Sequence, residues 1–163
     1  MVLAAGLTAA GALDFRTRRI PNDLTMAMAV TGVALSVTHV NGISPAASLL
    51  GLVMGLLLML PGHVLGATGA GDVKLMAAVG AFIGPAAVIT AFLATAIAGG
   101  VLALVIAARR GRVGATLAHT GRLVTDRSGT KPIVEATGTA NRFAYGPAIM
   151  IGTLVVVLNQ LRG

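Results

Sequence analysis

Cysteine is absent from this chain, and charged residues make up only 10% of it. The first absence removes any disulfide framework and any thiolate zinc site, and leaves thiol redox chemistry without a carrier. The second is far below the roughly 25% charge usual in soluble domains. With 56% hydrophobic residues, the chain is composed for lipid rather than for water. No internal repeat of fixed period and no low-complexity tract interrupts it, so a single membrane domain over 1–163 is the economical reading.

What is present is a series of apolar stretches at 1–13, 24–40, 43–60, 73–108 and 144–161. A spanning helix needs about 20 mostly apolar residues. The fourth stretch is long enough for two, and Gly84-Pro85 supplies a break, because Pro has no N–H for the helix ladder and Gly tolerates unusual backbone angles. The sequence therefore predicts an all-α, polytopic membrane protein with about six transmembrane helices. The first stretch is short for a full span. A cleaved signal peptide is disfavoured, because its small-residue run leads into Asp14 rather than into a cleavage site.

The net charge of +7 invites a nucleic-acid reading, but position argues otherwise. Alternating six spans from an outside amino terminus puts 14–23, 61–72 and a basic loop at about 109–143 on one side. Eleven of the twelve Lys and Arg residues fall on that side or one turn inside it, Arg162 being the exception. By the positive-inside rule that side is cytoplasmic. Lipid headgroups, and not nucleic acid, are the expected partners of these cations. Gly51/Gly55 and Gly80/Gly84 have the small-xxx-small spacing that lets helices approach closely in lipid.

The same alternation places Asp14, at the end of the first span, and Asp72, at the start of the fourth, at one membrane level. Acids at such positions are costly and hence functional candidates. Two neighbouring carboxyls do not ionise together easily, so one holds a proton while the other remains a base. That division suits peptide hydrolysis: the base takes a proton from water, and the acid donates to the developing oxyanion. The plain alternatives are Asp14 paired with Arg16 or Arg18, and Asp72 as the N-cap before Val73. Asp23 is expected to cap the second helix.

The flanking residues separate these readings. Asp72 lies in Gly69-Ala70-Gly71-Asp72-Val73-Lys74, which resembles the GxGD motif of aspartyl proteases, and Asp14 opens DFRTRRIPN, Asp14 to Asn22. Together they resemble the type IV prepilin peptidase family. Phe143 to Ala148 resembles that family's motif at the last span, although Ala144 stands where a proline is expected. Carried over, the resemblance makes Asp14 and Asp72 the catalytic aspartates, Gly69 and Gly71 the motif glycines, and Pro21 and Asn22 the turn after the first Asp. Lys74 also lies in the motif, where snorkelling toward headgroups is its plainer use.

The resemblance implies an aspartic endopeptidase of the bacterial inner membrane. It removes the leader of prepilins or pseudopilins at the cytoplasmic face, next to the pilus-assembly and protein-secretion machinery. The short loop after Asp14 and the lack of cysteine resemble the peptidase-only branch found with Flp or tight-adherence pili, so N-methyltransferase activity is not expected. No cofactor is called for. A metal site is not expected either, since His39, His63 and His119 are scattered and structural zinc takes four ligands. The rival readings are a catalytically silent pilus-assembly component and a small proton or cation transporter.

Overall fold

The computed structural model describes residues 2–17, 20–66, 68–109 and 146–160. Among them the protein is all-α, with five helices: α1 (Val2–Thr17), α2 (Asn22–Val37), α3 (Pro45–Val64), α4 (Ala70–Arg109) and α5 (Gly146–Gln160). The basic loop expected at about 109–143 lies outside the described residues, apart from its first position.

Among the described residues, two helices are long and apolar enough to cross a membrane, Pro45–Val64 and Ala70–Leu102. Val2–Asp14, Asn22–Val37 and Gly146–Leu158 are shorter apolar helices. At about 1.5 Å per residue, α4 is far longer than the roughly 30 Å of a hydrocarbon core. It is broken at Gly84, whose φ of 79° and ψ of 176° lie where essentially only glycine is found, and Pro85 follows.

The first arm of α4 is the core of the molecule. Leu75, Met76, Ala78, Val79 and Ala81 are fully buried, and α4 packs against each of the other four helices. Its closest approach is to α3. A Cβ on Gly51 would strike the Gly80 carbonyl, and one on Gly55 would strike the Met76 carbonyl, so the two backbones meet without side chains between them. The outside is equally apolar: Met26 and Val30 of α2, Leu50 and Leu57 of α3, Ile97 of α4 and Val155 of α5 are all exposed. An apolar exterior this extensive is suited to lipid.

The break in α4 frees carbonyls that, buried among the helices, neither water nor the helix can serve. Ala81 would bond to the N–H of residue 85, but Pro85 has none. Ser48 fills that position, donating its hydroxyl to the Ala81 carbonyl at 2.7 Å, both residues being fully buried. The Asn41 amide nitrogen faces the carbonyls of Gly32 and Phe82 at 3.4 and 3.5 Å. Ser48→Ala is therefore expected to destabilise the protein by about 1–3 kcal/mol, the cost of an unserved buried carbonyl. A lowered melting temperature in detergent is the measurement.

Two local expectations need correction. The loop placed at 61–72 is shorter, because α3 continues through Pro61 to Val64, the proline φ being compatible with a helix. Asp23 does not cap α2: Pro21 is the N-cap residue, without a side-chain hydrogen bond, and Asp23 lies in the first turn, where its charge faces the positive end of the helix dipole.

Candidate active site

Asp14 lies near the carboxyl end of α1 and Asp72 is the third residue of α4. They are 6% and 7% exposed, a degree of burial rare for acids. The helices that carry them, α1 and α4, are in contact, and Ile20, six residues after Asp14, packs on Gly71, the residue before Asp72.

Each carboxyl is held by a glycine N–H. Gly69 donates to Asp72 Oδ2 at 3.0 Å, while its own carbonyl accepts from the N–H of Asp72 at 3.1 Å. Asp72 is therefore the third-position half of a capping arrangement and not the N-cap before Val73. A Cβ on Gly69 would stand 3.1 Å from Asp72 Oδ2, tighter than an ordinary contact. On the other side, Gly146 opens α5 and donates to Asp14 Oδ2 at 2.9 Å in a buried bond. A Cβ there would lie 2.8 Å from the same oxygen. The FAYGPA segment thus sends its glycine to the first aspartate. The segment was readable in sequence, but its contact with Asp14 had no signal there.

The remaining motif residues form one seam between the α1–α2 turn and the start of α4. Gly71 faces Ile20, with a Cβ position 3.1 Å from the Ile20 Cβ. Pro21 and Asn22 begin α2, and Lys74 Nζ donates to Asn22 Oδ1 at 2.8 Å. Lys74 is thus bonded to an amide instead of only snorkelling. His63 is exposed, its Nδ1 3.1 Å from the Thr68 carbonyl, and His39 is exposed in the turn after α2. His119 lies outside the described residues. No group of three or more His, Cys, Asp or Glu side chains suited to a metal ion occurs among the described residues.

A helical bundle with a lipid-suited exterior, two helices long enough to cross a bilayer and two buried aspartates on helices in contact suggests a membrane protein. The model of the type IV leader peptidase family matches residues 1–104, well over half of the 163-residue chain, and the chain belongs to that family. Membership implies a type IV prepilin leader peptidase, an aspartic endopeptidase whose substrates are prepilins. No curated protein and no solved structure matches the chain. Both aspartates fall within the matched residues, whereas Gly146 falls beyond them.

Proposed function

We propose that the protein cleaves the leader peptide of type IV prepilins or pseudopilins at the cytoplasmic face of the bacterial inner membrane, with Asp14 and Asp72 as its catalytic pair. The observation that carries the assignment is their joint burial, each oriented by a glycine N–H at 2.9–3.0 Å. A single neutral donor fixes the direction of a carboxyl without neutralising it, which leaves the pair able to share one proton.

In the reaction, the ionised aspartate removes a proton from water as the oxygen attacks the scissile carbonyl. The protonated partner donates to the carbonyl oxygen. On collapse of the gem-diol intermediate the C–N bond breaks, one aspartate giving its proton to the departing amine nitrogen while the other takes a proton from a diol hydroxyl as the C=O re-forms, so the two acids end with the one proton they began with. The roles of Asp14 and Asp72 are interchangeable over a cycle.

Six spans follow when α1, α2, α3, the two arms of α4 and α5 each cross the membrane, in one domain over 1–163. Both aspartates then lie at the cytoplasmic edge, the side that carries eleven of the twelve cations. Water reaches the pair from the loops and an apolar substrate helix reaches it from the bilayer. Only four residues separate the end of α1 from the start of α2, which leaves no room for an inserted domain there. With the lack of cysteine, this favours the peptidase-only branch associated with Flp or tight-adherence pili.

The test is cleavage of a co-expressed Flp-type prepilin, followed as the mass lost with the leader. Purified in detergent, the enzyme is expected to show a bell-shaped rate against pH, falling when both carboxyls are ionised and when both are protonated. A rate flat across the carboxyl titration range would remove the shared-proton mechanism.

A further inference from the structure

We propose that Lys74 and Asn22 form a positioning pair that sets the separation of the two aspartates, an inference that rests on the dyad reading above. Lys74 Nζ donates to Asn22 Oδ1 at 2.8 Å, joining residues 52 positions apart on two different helices. Beside that bond, Gly71 receives Ile20 so closely that a Cβ would stand 3.1 Å from the Ile20 Cβ.

Gly71 and Lys74 are three residues apart, and so lie on one face of α4. That face meets Ile20 and Asn22 at two points. One contact would leave the α1–α2 turn free to pivot on α4, whereas two fix both its distance and its rotation. Asp14 precedes Ile20 by six residues and lies on α1, the helix that leads into that turn, and Asp72 lies between Gly71 and Lys74 on α4. The seam therefore couples the carboxyl end of α1 to the helix that carries its partner acid.

Geometry also separates this role from direct catalysis by the ammonium. Lys74 follows Asp72 by two positions, and side chains so spaced point to different sides of a helix. Its nitrogen is turned to the neutral amide of Asn22. Both side chains are exposed, so neither is needed to fill the core. Their bond is a strap across the rim of the site.

The absence of cysteine allows the separation to be read independently of activity. In the full-length protein in membranes, Asp14→Cys with Asp72→Cys gives a pair whose oxidative cross-linking rate reports how often the two positions meet. Adding Lys74→Met or Asn22→Leu is expected to slow cross-linking several-fold. In the enzyme with both aspartates intact, each substitution is expected to lower kcat about tenfold, in keeping with the sensitivity of rate to small misplacement, with KM little changed. The double variant should be no worse than the poorer single one, because both remove the same link. Asn22→Asp, which keeps an acceptor for Lys74, should restore kcat and cross-linking, a rescue that general destabilisation would not give.

Unchanged cross-linking in Lys74→Met and Asn22→Leu would overturn the proposal. So would additive losses, or a loss on changing Lys74 with none on changing Asn22, which would assign the ammonium a direct role. A wild type that fails to cut any prepilin would count against the peptidase reading alone, since the cross-linking arm would still report on the strap.

Discussion

Asp14→Asn and Asp72→Asn are each expected to abolish leader cleavage, lowering kcat by about 10³-fold or more, the scale seen when one member of a catalytic unit is removed. Asparagine is close in shape to aspartate and its carbonyl oxygen still accepts the N–H of Gly146 or Gly69, so the bonds at 2.9 and 3.0 Å have a successor and the fold is retained. What is lost is proton exchange. An amide neither takes a proton from water near neutrality nor gives one to an oxyanion, so the partner aspartate is left with half of the chemistry. The double variant should be no slower than either single one, because the two act as a unit. Measurement is by substrate mass shift at matched enzyme levels in the membrane. Cleavage surviving in either variant would remove that residue from catalysis and return attention to the scaffold and transporter readings.

The fold and the site were legible in the sequence to different depths, for a physical reason. Asp14 and Asp72 were singled out because alternation of apolar stretches predicts one level for their helix ends, and that prediction requires only lengths and breaks; the structure shows both acids buried, on helices in contact. The Gly84-Pro85 break was readable from the local chemistry of two residues, and the Gly51 and Gly80 spacing from the need for close backbones in lipid. Rotation about each helix axis was not readable. A helix in water carries a polar face that shows which side points outward, but here Met26, Leu50 and Ile97 face outward while Met28, Met59 and Val88 face inward, and both sides are apolar. Contacts that depend on rotation therefore emerge only from packing. Gly146 on Asp14, Ile20 on Gly71, Lys74 on Asn22 and Ser48 on Ala81 all belong to that class. The same holds for Asp72, whose bond to Gly69 depends on the helix beginning at Ala70 and not at Val73.

Gly146→Ala should produce the next largest loss, a fall in kcat of about 10²-fold, the scale associated with moving a reacting group by about 1 Å. The added Cβ would stand 2.8 Å from Asp14 Oδ2 and 3.0 Å from Asp14 Cβ, so something must move. Neither side has much freedom: Asp14 is 6% exposed within α1, and α5 is anchored by the fully buried Ile149 against the core. Whether the carboxyl swings away or the start of α5 withdraws, the bond from the Gly146 N–H is lengthened and Asp14 loses its orientation toward Asp72. Gly100→Ala provides the control, because no atom of the described residues lies within 4 Å of its Cβ position and alanine is the better helix former. That variant should cut at the wild-type rate. If Gly146→Ala also cuts within about threefold of wild type, roughly 0.7 kcal/mol in barrier, the close seat of α5 on Asp14 is not required for catalysis. If activity falls while the melting temperature in detergent stays near that of Gly100→Ala, the loss is one of carboxyl placement, and the last helix joins α1 and α4 as a working part of the site.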